Sequence, residues 1–217
     1  MRVVKIKHGT QEWLDYRING IGGSDASAVL GLNPYKTNVE LWEEKTGLKK
    51  PKPMSNNAAV EYGFKAEKPL VDLFKLDYPQ YSVKVPKGEI YVHDNGFMFA
   101  SVDGRLTKKA TKELGVLEVK TSTVFASMHR EKWNERIPDN YYIQVLHYMA
   151  VTNASFAVLK AQLKSVDNNG ETRLITKHYF INAADVQEDI DYLVKKETEF
   201  WAHVKSKTRP NLILPNL

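Results

Sequence analysis

Asp103-Gly104 closes one apolar run of the chain, and Glu118-Val119-Lys120 lies inside the next. Side chains of a strand alternate between its two faces, so Glu118 and Lys120 share a face while Leu117 and Val119 enter the opposite layer. Charges on an interior strand are costly unless they are paired or hold a metal. Two neighbouring carboxylates form an all-oxygen site of the kind Mg²⁺ prefers. A lysine beside them can hold a water or hydroxide, or stabilise charge on a reacting phosphate. The alternative is an exposed edge strand carrying a solvated ion pair.

Three further groups have residue types suited to phosphate chemistry. Gly63 and Glu67 are one helical turn apart, with Leu70 and Phe74 continuing the same face. Glu67 could therefore reach a metal held by the strands, with Gly63 allowing a close approach, or it could pair with Lys65 or Lys68 in solvent. Tyr141, Gln144 and Tyr148 form one helical stripe, beside a second of Tyr142, Val145 and Met149. Gln144 could serve as a hydrogen-bonding arm near a phosphate or a catalytic lysine, or be a buried amide satisfied by backbone. His147 lies off the stripe and reads as structural. Near the N-terminus, Arg17 precedes the glycine-rich turn Asn19-Gly-Ile-Gly-Gly-Ser-Asp25, which opens a helix capped by Ser24 or Asp25. Amide groups, a hydroxyl and a guanidinium fork together suit an anion. The same turn is also ordinary helix entry, and no Gly-Lys-Ser/Thr follows to make it a nucleotide-hydrolase loop. Lys108 and Lys109 lie in the connection between the two strands that carry the acidic residues. Other lysine pairs read as solvated faces.

The elements that must position these residues follow from periodicity and punctuation. Helices are expected over Thr10–Arg17, from Ser24 through Leu30, over Asn38–Thr46 and over about Asn57–Leu76, with a kink at Pro69. Strands Gly88–His93 and Phe97–Val102 flank the turn Asp94-Asn-Gly96, and with Gly115–Thr121 they should form a three-strand meander. Helices follow over Thr123–Trp133 and Pro138–Val151. A hairpin of Ser155–Val166 and Glu171–Ile181 turns at Asn168-Asn-Gly170, and a helix covers Ala183–Lys205. The apolar tail Thr208–Leu217 is extended and should dock on something. Helices before, between and after a small mixed sheet make this an α/β (α+β) fold.

Composition narrows the function classes. The 217 residues suffice for one well-buried domain and are too few for two complete ones. With no cysteine, disulfides, thiolate catalysis and Cys-based zinc or iron–sulfur sites are excluded, and no paired-histidine spacing suggests zinc. A net charge of +5 and a pI of about 9.1 suit a polyanionic partner. The charged N-terminal residues do not read as a secretion signal, and no apolar run has membrane-spanning length. A cytoplasmic location is expected.

Four segments taken together resemble one family. Trp13-Leu-x-x-Arg17 with Gly22-Gly-Ser-Asp-Ala26, Gly63-x-x-x-Glu67, Ser101-Val-Asp103 with Glu118-Val-Lys120, and Tyr141-x-x-Gln144 are similar to the motifs of the YqaJ-like viral recombinases. These are relatives of phage lambda exonuclease in the PD-(D/E)xK nuclease superfamily. The resemblance spans roughly residues 10–151. Val102 stands where the superfamily has proline, a position that shapes the strand end and supplies no ligand.

The resemblance implies a restriction-endonuclease-like core at about 57–181 within a single nuclease domain, with end-binding helices at 10–47 and a C-terminal helix and tail. It implies that Asp103, Glu118, the Val119 carbonyl and Glu67 hold Mg²⁺, with Mn²⁺ able to substitute. Lys120 would activate the attacking water, Gln144 would assist it, and Tyr141 would lie near the scissile phosphate. Arg17, Ser24 and Ser101 would grip a 5′-phosphate. The implied activity is 5′→3′ digestion of double-stranded DNA ends, leaving 3′ overhangs for phage recombination by strand annealing. The implied partners are a phage single-strand annealing protein and further copies of the chain in a ring, commonly a trimer, within a bacterial host cell. The apolar tail is a candidate contact between copies. The competing expectations are an endonuclease on the same core, or a DNA-end-binding module with a weak catalytic centre.

Overall fold

Alternating apolar strands and three long helical patterns resolve into two sheets joined through a buried helix. The structure is a computed structural model and describes residues 1–7, 9–51, 58–124, 131–166 and 169–214. The elements run β1 (Arg2–Lys5), α1 (Gln11–Ile18), β2 (Ile21–Gly22), α2 (Gly23–Val29), α3 (Asn38–Lys45), α4 (Ala58–Asp77), β3 (Tyr81–Lys84), β4 (Glu89–Val92), β5 (Met98–Ala100), β6 (Gly104–Lys108) and β7 (Leu114–Thr123). Then come α5 (Asp139–Thr152), β8 (Phe156–Val166), β9 (Thr172–Asn182), a 3₁₀ turn and α6 (Gln187–Ser206). The smaller sheet has the order β1-β4-β5-β2 and the larger β3-β6-β7-β8-β9. Both are mixed, with β2 parallel to β5 and β7 parallel to β8.

The expected α/β architecture is present, as two sheets in place of one. The three-strand meander is not formed. β4 and β5 pair as a hairpin in the smaller sheet, whereas β7 belongs to the larger sheet and takes its antiparallel partner from β6. The segment Gly104–Lys108 had no apolar alternation strong enough to mark it as a strand, and β1, β2 and β3 are four residues or fewer. This rearrangement matters for function, because Asp103 falls where the chain leaves one sheet and enters the other.

α5 is buried on nearly every side, as its run Ile143 to Met149 shows. A helix enclosed this way shows little amphipathic contrast. His147, fully buried on it, meets Glu197 of α6 at 2.8 Å through Nδ1 and the Phe99 carbonyl of β5 at 3.0 Å through Nε2. That arrangement ties α5 to α6 and to the smaller sheet, in keeping with a structural histidine. α4 continues helically through Pro69, where one backbone donor is missing. The tail docks on its own chain: Asn38 donates to the Asn211 carbonyl at 2.7 Å and accepts from the Ile213 amide at 3.0 Å. The expected helix over Thr123–Trp133 and the turn at Asn168 fall largely outside the described residues, as do Asn57 and the last three residues of the tail.

Candidate active site

The ladder between β6 and β7 ends at the pair Gly104–Leu117, so the half of β7 from Glu118 onward has β8 on one side and an open edge on the other. Asp103, the residue just before β6, occupies that edge and accepts a hydrogen bond from the Val119 amide at 2.7 Å. β7 presents its two faces as alternation requires. Leu117 and Val119 pack with Leu70, Val71 and Phe74 of α4. Glu118 and Lys120 face the other way, 2.6 Å apart, with side chains 4% and 22% exposed. Gln144 of α5 donates to Glu118 Oε1 at 2.8 Å and to the Tyr148 hydroxyl at 2.8 Å. Tyr141 lies with its ring 5.3 Å from the Lys120 ammonium and stacks on Trp133 at 5.5 Å.

Glu67 joins this group from α4. Its alternative partners are engaged elsewhere, Lys65 with Glu61 at 2.6 Å and Lys68 with Asp72 at 2.7 Å. A Cβ on Gly63 would stand 3.2 Å from the Thr121 hydroxyl, so the absence of a side chain there lets α4 come close against β7. Glu67 is pushed up to about 7, first by burial and then by the charge of Asp103. Burial and Asp103 together push Glu118 up to about 8, with Glu67 adding to the shift. Asp103 is also raised, by burial, against the opposing pull of Lys120. Burial works against the Lys120 ammonium, but Glu118 and Asp103 outweigh it and hold it charged above its ordinary range.

Three carboxylates thus crowd one ammonium, and Glu118 Oε2 is buried with no hydrogen-bond partner among the described residues. Among the described residues, no three His, Asp or Glu side chains are gathered tightly enough to enclose an ion by themselves. Mg²⁺ does not require that: it takes one or two carboxylates and keeps several waters. The donor set and the unpartnered oxygen fit such a cation.

A second charged cluster lies at the N-terminal helices. β2 registers Gly22 on Phe99 in parallel with β5, so Ser24 and Ser101 each stand two residues beyond that pair. The cap of α2 is Gly22; Ser24 and Asp25, the residues expected to cap it, are already inside the helix, and the Asp25 carboxylate reaches back to the Gly22 amide at 3.4 Å. Arg17 lies 4.8 Å from the Trp13 ring centroid and donates to Ser24 Oγ at 2.7 Å and Asp25 Oδ1 at 3.4 Å. Lys45, from the end of α3, donates to Asp25 Oδ2 at 2.8 Å and to the Arg17 carbonyl at 2.7 Å. Burial alone would raise Asp25, but Lys45 and then Arg17 hold it far below the usual carboxylate range.

The two clusters meet through Gly23. A Cβ there would come within 2.3 Å of the Tyr148 ring and 3.1 Å of Gln144, so only glycine lets α2 rest on the side chain that bonds Glu118. Burial, with Glu118 and Asp103, raises the Tyr148 phenol well above its ordinary value, while Arg17 pulls the other way. Arg17 is therefore within electrostatic reach of the same tyrosine that Gln144 contacts.

The YqaJ-like viral recombinase domain matches residues 12–155, about two thirds of the chain. The chain belongs to this family. A relative in Bacillus subtilis (strain 168), the uncharacterized protein YqaJ, is 35% identical over 196 residues that cover 88% of this chain and 54% of the relative. The chain thus spans about half the length of that curated protein. Solved structures share the family member's fold at low sequence identity. An alkaline exonuclease of Laribacter hongkongensis superposes with a TM-score of 0.65 at 17% identity, over 91% of this chain and 94% of that one. A phage-related exonuclease of Haemophilus somnus 129PT gives 0.54 at 14%, over 87% and 96%. The chain therefore shares the fold of these two exonuclease structures.

The structure brings Asp103, Glu118, Lys120, Gln144, Glu67 and Tyr141 into one neighbourhood, and Arg17 with Ser24 into another. Ser101 lies at the strand end between them and is exposed. Lys108 does not join either: at the far end of β6 it pairs with Glu113 at 2.6 Å and lies over the Phe156 ring. Sequence reasoning gave Tyr148 no role beyond its helical stripe and passed over Lys45. Tyr148 shared the stripe of Gln144, and Lys45 follows Leu41 and Trp42 at helical spacing on an apolar face, both of them usable signals. A cavity of about 610 Å³ beside His93, Asn153 and Lys195 includes none of these residues. Among the described residues, no helix is long and apolar enough to cross a membrane.

Proposed function

We propose that this family member is a Mg²⁺-dependent 5′→3′ exonuclease that starts at double-stranded DNA ends and leaves 3′ overhangs for strand annealing in phage recombination. The observation that carries the reading is the mutually repelling trio of buried Glu118 with half-buried Asp103 and Glu67, set against Lys120, with a Glu118 oxygen unpartnered among the described residues. Asp103, Glu118 and the Val119 carbonyl would hold the metal, with Glu67 contributing from α4. When bound, the ion would polarise the phosphodiester and lower the pKa of an attacking water. Mn²⁺ would substitute.

Lys120, already positioned by Glu118, would orient that water and stabilise charge on the phosphate oxygens. Gln144 would fix the Glu118 carboxylate through its second hydrogen bond to Tyr148. Tyr141, stacked on Trp133, would border the strand being cut. Arg17, Ser24 and Ser101 would receive the terminal 5′-phosphate, a charge-assisted and bidentate match for the guanidinium. An anion grip beside a cation site favours cutting from an end over cutting inside a duplex. A phage single-strand annealing protein and a ring of three copies in the bacterial cytoplasm belong to the same reading.

Linear and covalently closed circular duplexes, each incubated with Mg²⁺, test it. Linear DNA labelled at the 5′ end should release that label first, and closed circles should survive. Cleavage of closed circles would favour an endonuclease, and a wild type inert in both Mg²⁺ and Mn²⁺ would favour an end-binding module.

A further inference from the structure

Asp25 is an unexpected neighbour for a phosphate-binding arginine. A buried carboxylate 3.4 Å from Arg17 should neutralise the guanidinium and compete with any anion. Lys45 changes that balance. Its ammonium is as buried as Asp25, both side chains being 5% exposed, and it bonds the opposite carboxylate oxygen at the shorter distance of 2.8 Å. It also holds the Arg17 carbonyl at 2.7 Å, fixing the last turn of α1 on which the guanidinium rides. The Trp13 ring lies along the guanidinium as well. Arg17 itself remains 27% exposed, against 5% for the side chains of Lys45 and Asp25. Among the described residues no other carboxylate bonds Lys45, and the nearby Lys36 is engaged by Glu44.

We propose that Lys45 is a positioning residue that sets end selectivity: by neutralising Asp25 and anchoring the last turn of α1, it leaves the charge of Arg17 available to the 5′-phosphate of a DNA end. This rests on the end-grip reading above. Lys45 and Asp25 do not touch the phosphate; they act through Arg17. Without Lys45, the carboxylate turns its whole charge on Arg17 and becomes an internal competitor for the phosphate. Without both Lys45 and Asp25, that competition disappears, and a buried ion pair exchanged for uncharged groups is a change folds commonly tolerate.

The experiment compares 5′-phosphorylated with 5′-hydroxyl linear duplexes by steady-state digestion. The variants are Arg17→Gln, Lys45→Met and the double variant Lys45→Met with Asp25→Asn. Lys45→Met should lower the preference for phosphorylated ends roughly tenfold, expressed in KM more than in kcat. The double variant should recover most of that preference, which a purely structural role for Lys45 would not allow. Should Lys45→Met fail to fold, the double variant decides alone: retained preference supports the inference, and a loss equal to that of Arg17→Gln overturns it. Wild-type preference in Lys45→Met, alongside a loss in Arg17→Gln, overturns it while leaving the end-grip reading intact. A wild type indifferent to the 5′ group overturns that reading, and this inference with it.

Discussion

The two charged clusters of this protein are built alike and balanced oppositely. At the open edge of β7, three carboxylates face one ammonium, all three carboxyls are raised, and a buried oxygen stands without a partner among the described residues. Between α1, α2 and α3, one carboxylate faces two cations and is driven far below its ordinary range. The first is short of positive charge and the second of negative. Under the proposed function, a phosphodiester end with its metal would supply both. Gly23, Tyr148 and Gln144 are the few side-chain-width steps that separate them.

The largest way to break this comparison is to remove chemistry from the acidic cluster alone. Lys120→Ala or Glu118→Ala should lower duplex digestion by roughly 10³-fold or more, measured as kcat under saturating Mg²⁺. Digestion that survives either change would contradict the assigned roles. The basic cluster should respond differently: Arg17→Gln should raise KM for 5′-phosphorylated ends by roughly 10- to 100-fold, the scale of a lost charge-assisted contact. An unchanged KM would place the end grip elsewhere.

The bridge can be strained in turn. Gly23→Ala sets a methyl into the Tyr148 ring and should cost about 1–3 kcal/mol of stability by urea unfolding, as overpacking does. Wild-type stability would mean that α2 moves away without consequence. The smallest effect is one of pH. A carboxyl whose folded pKa is raised contributes stability below its ordinary value and loses it as pH rises through the folded one. For Glu67 that window runs from about 4.5 to about 7, so metal-free protein should lose stability across it. Glu67→Gln should flatten this loss and raise Tm by roughly 2 °C at about pH 8, with no gain at about pH 4. A variant less stable than wild type at about pH 8 would show that Glu67 is not held against other carboxylates.

Much of the acidic cluster was legible because strand alternation and helical spacing act locally. Glu118 and Lys120 on one face, Gly63 beneath the approach of α4, and Gln144 on the helix after β7 follow from periods of two and 3.6. The partition into two sheets was not legible, because β1, β2, β3 and β6 are too short or too charged to show an apolar pattern. Pairings such as Gly22 with Phe99 depend on contacts far apart in sequence. Lys45 was missed, and Asp25 was read only as a helix cap, for a related reason. Each looks like an ordinary helix residue until α2 and α3 pack and exclude water from both. The tail was expected to dock, and only the packed chain shows Asn38 as its receptor.

Titration calorimetry of Mg²⁺ into metal-free wild type, Glu118→Gln and Arg17→Gln tests most directly whether the two clusters serve opposite ligands. Wild type and Arg17→Gln should bind Mg²⁺ alike, and Glu118→Gln should lose the binding. Wild-type binding in Glu118→Gln, or its loss in Arg17→Gln, would contradict the account.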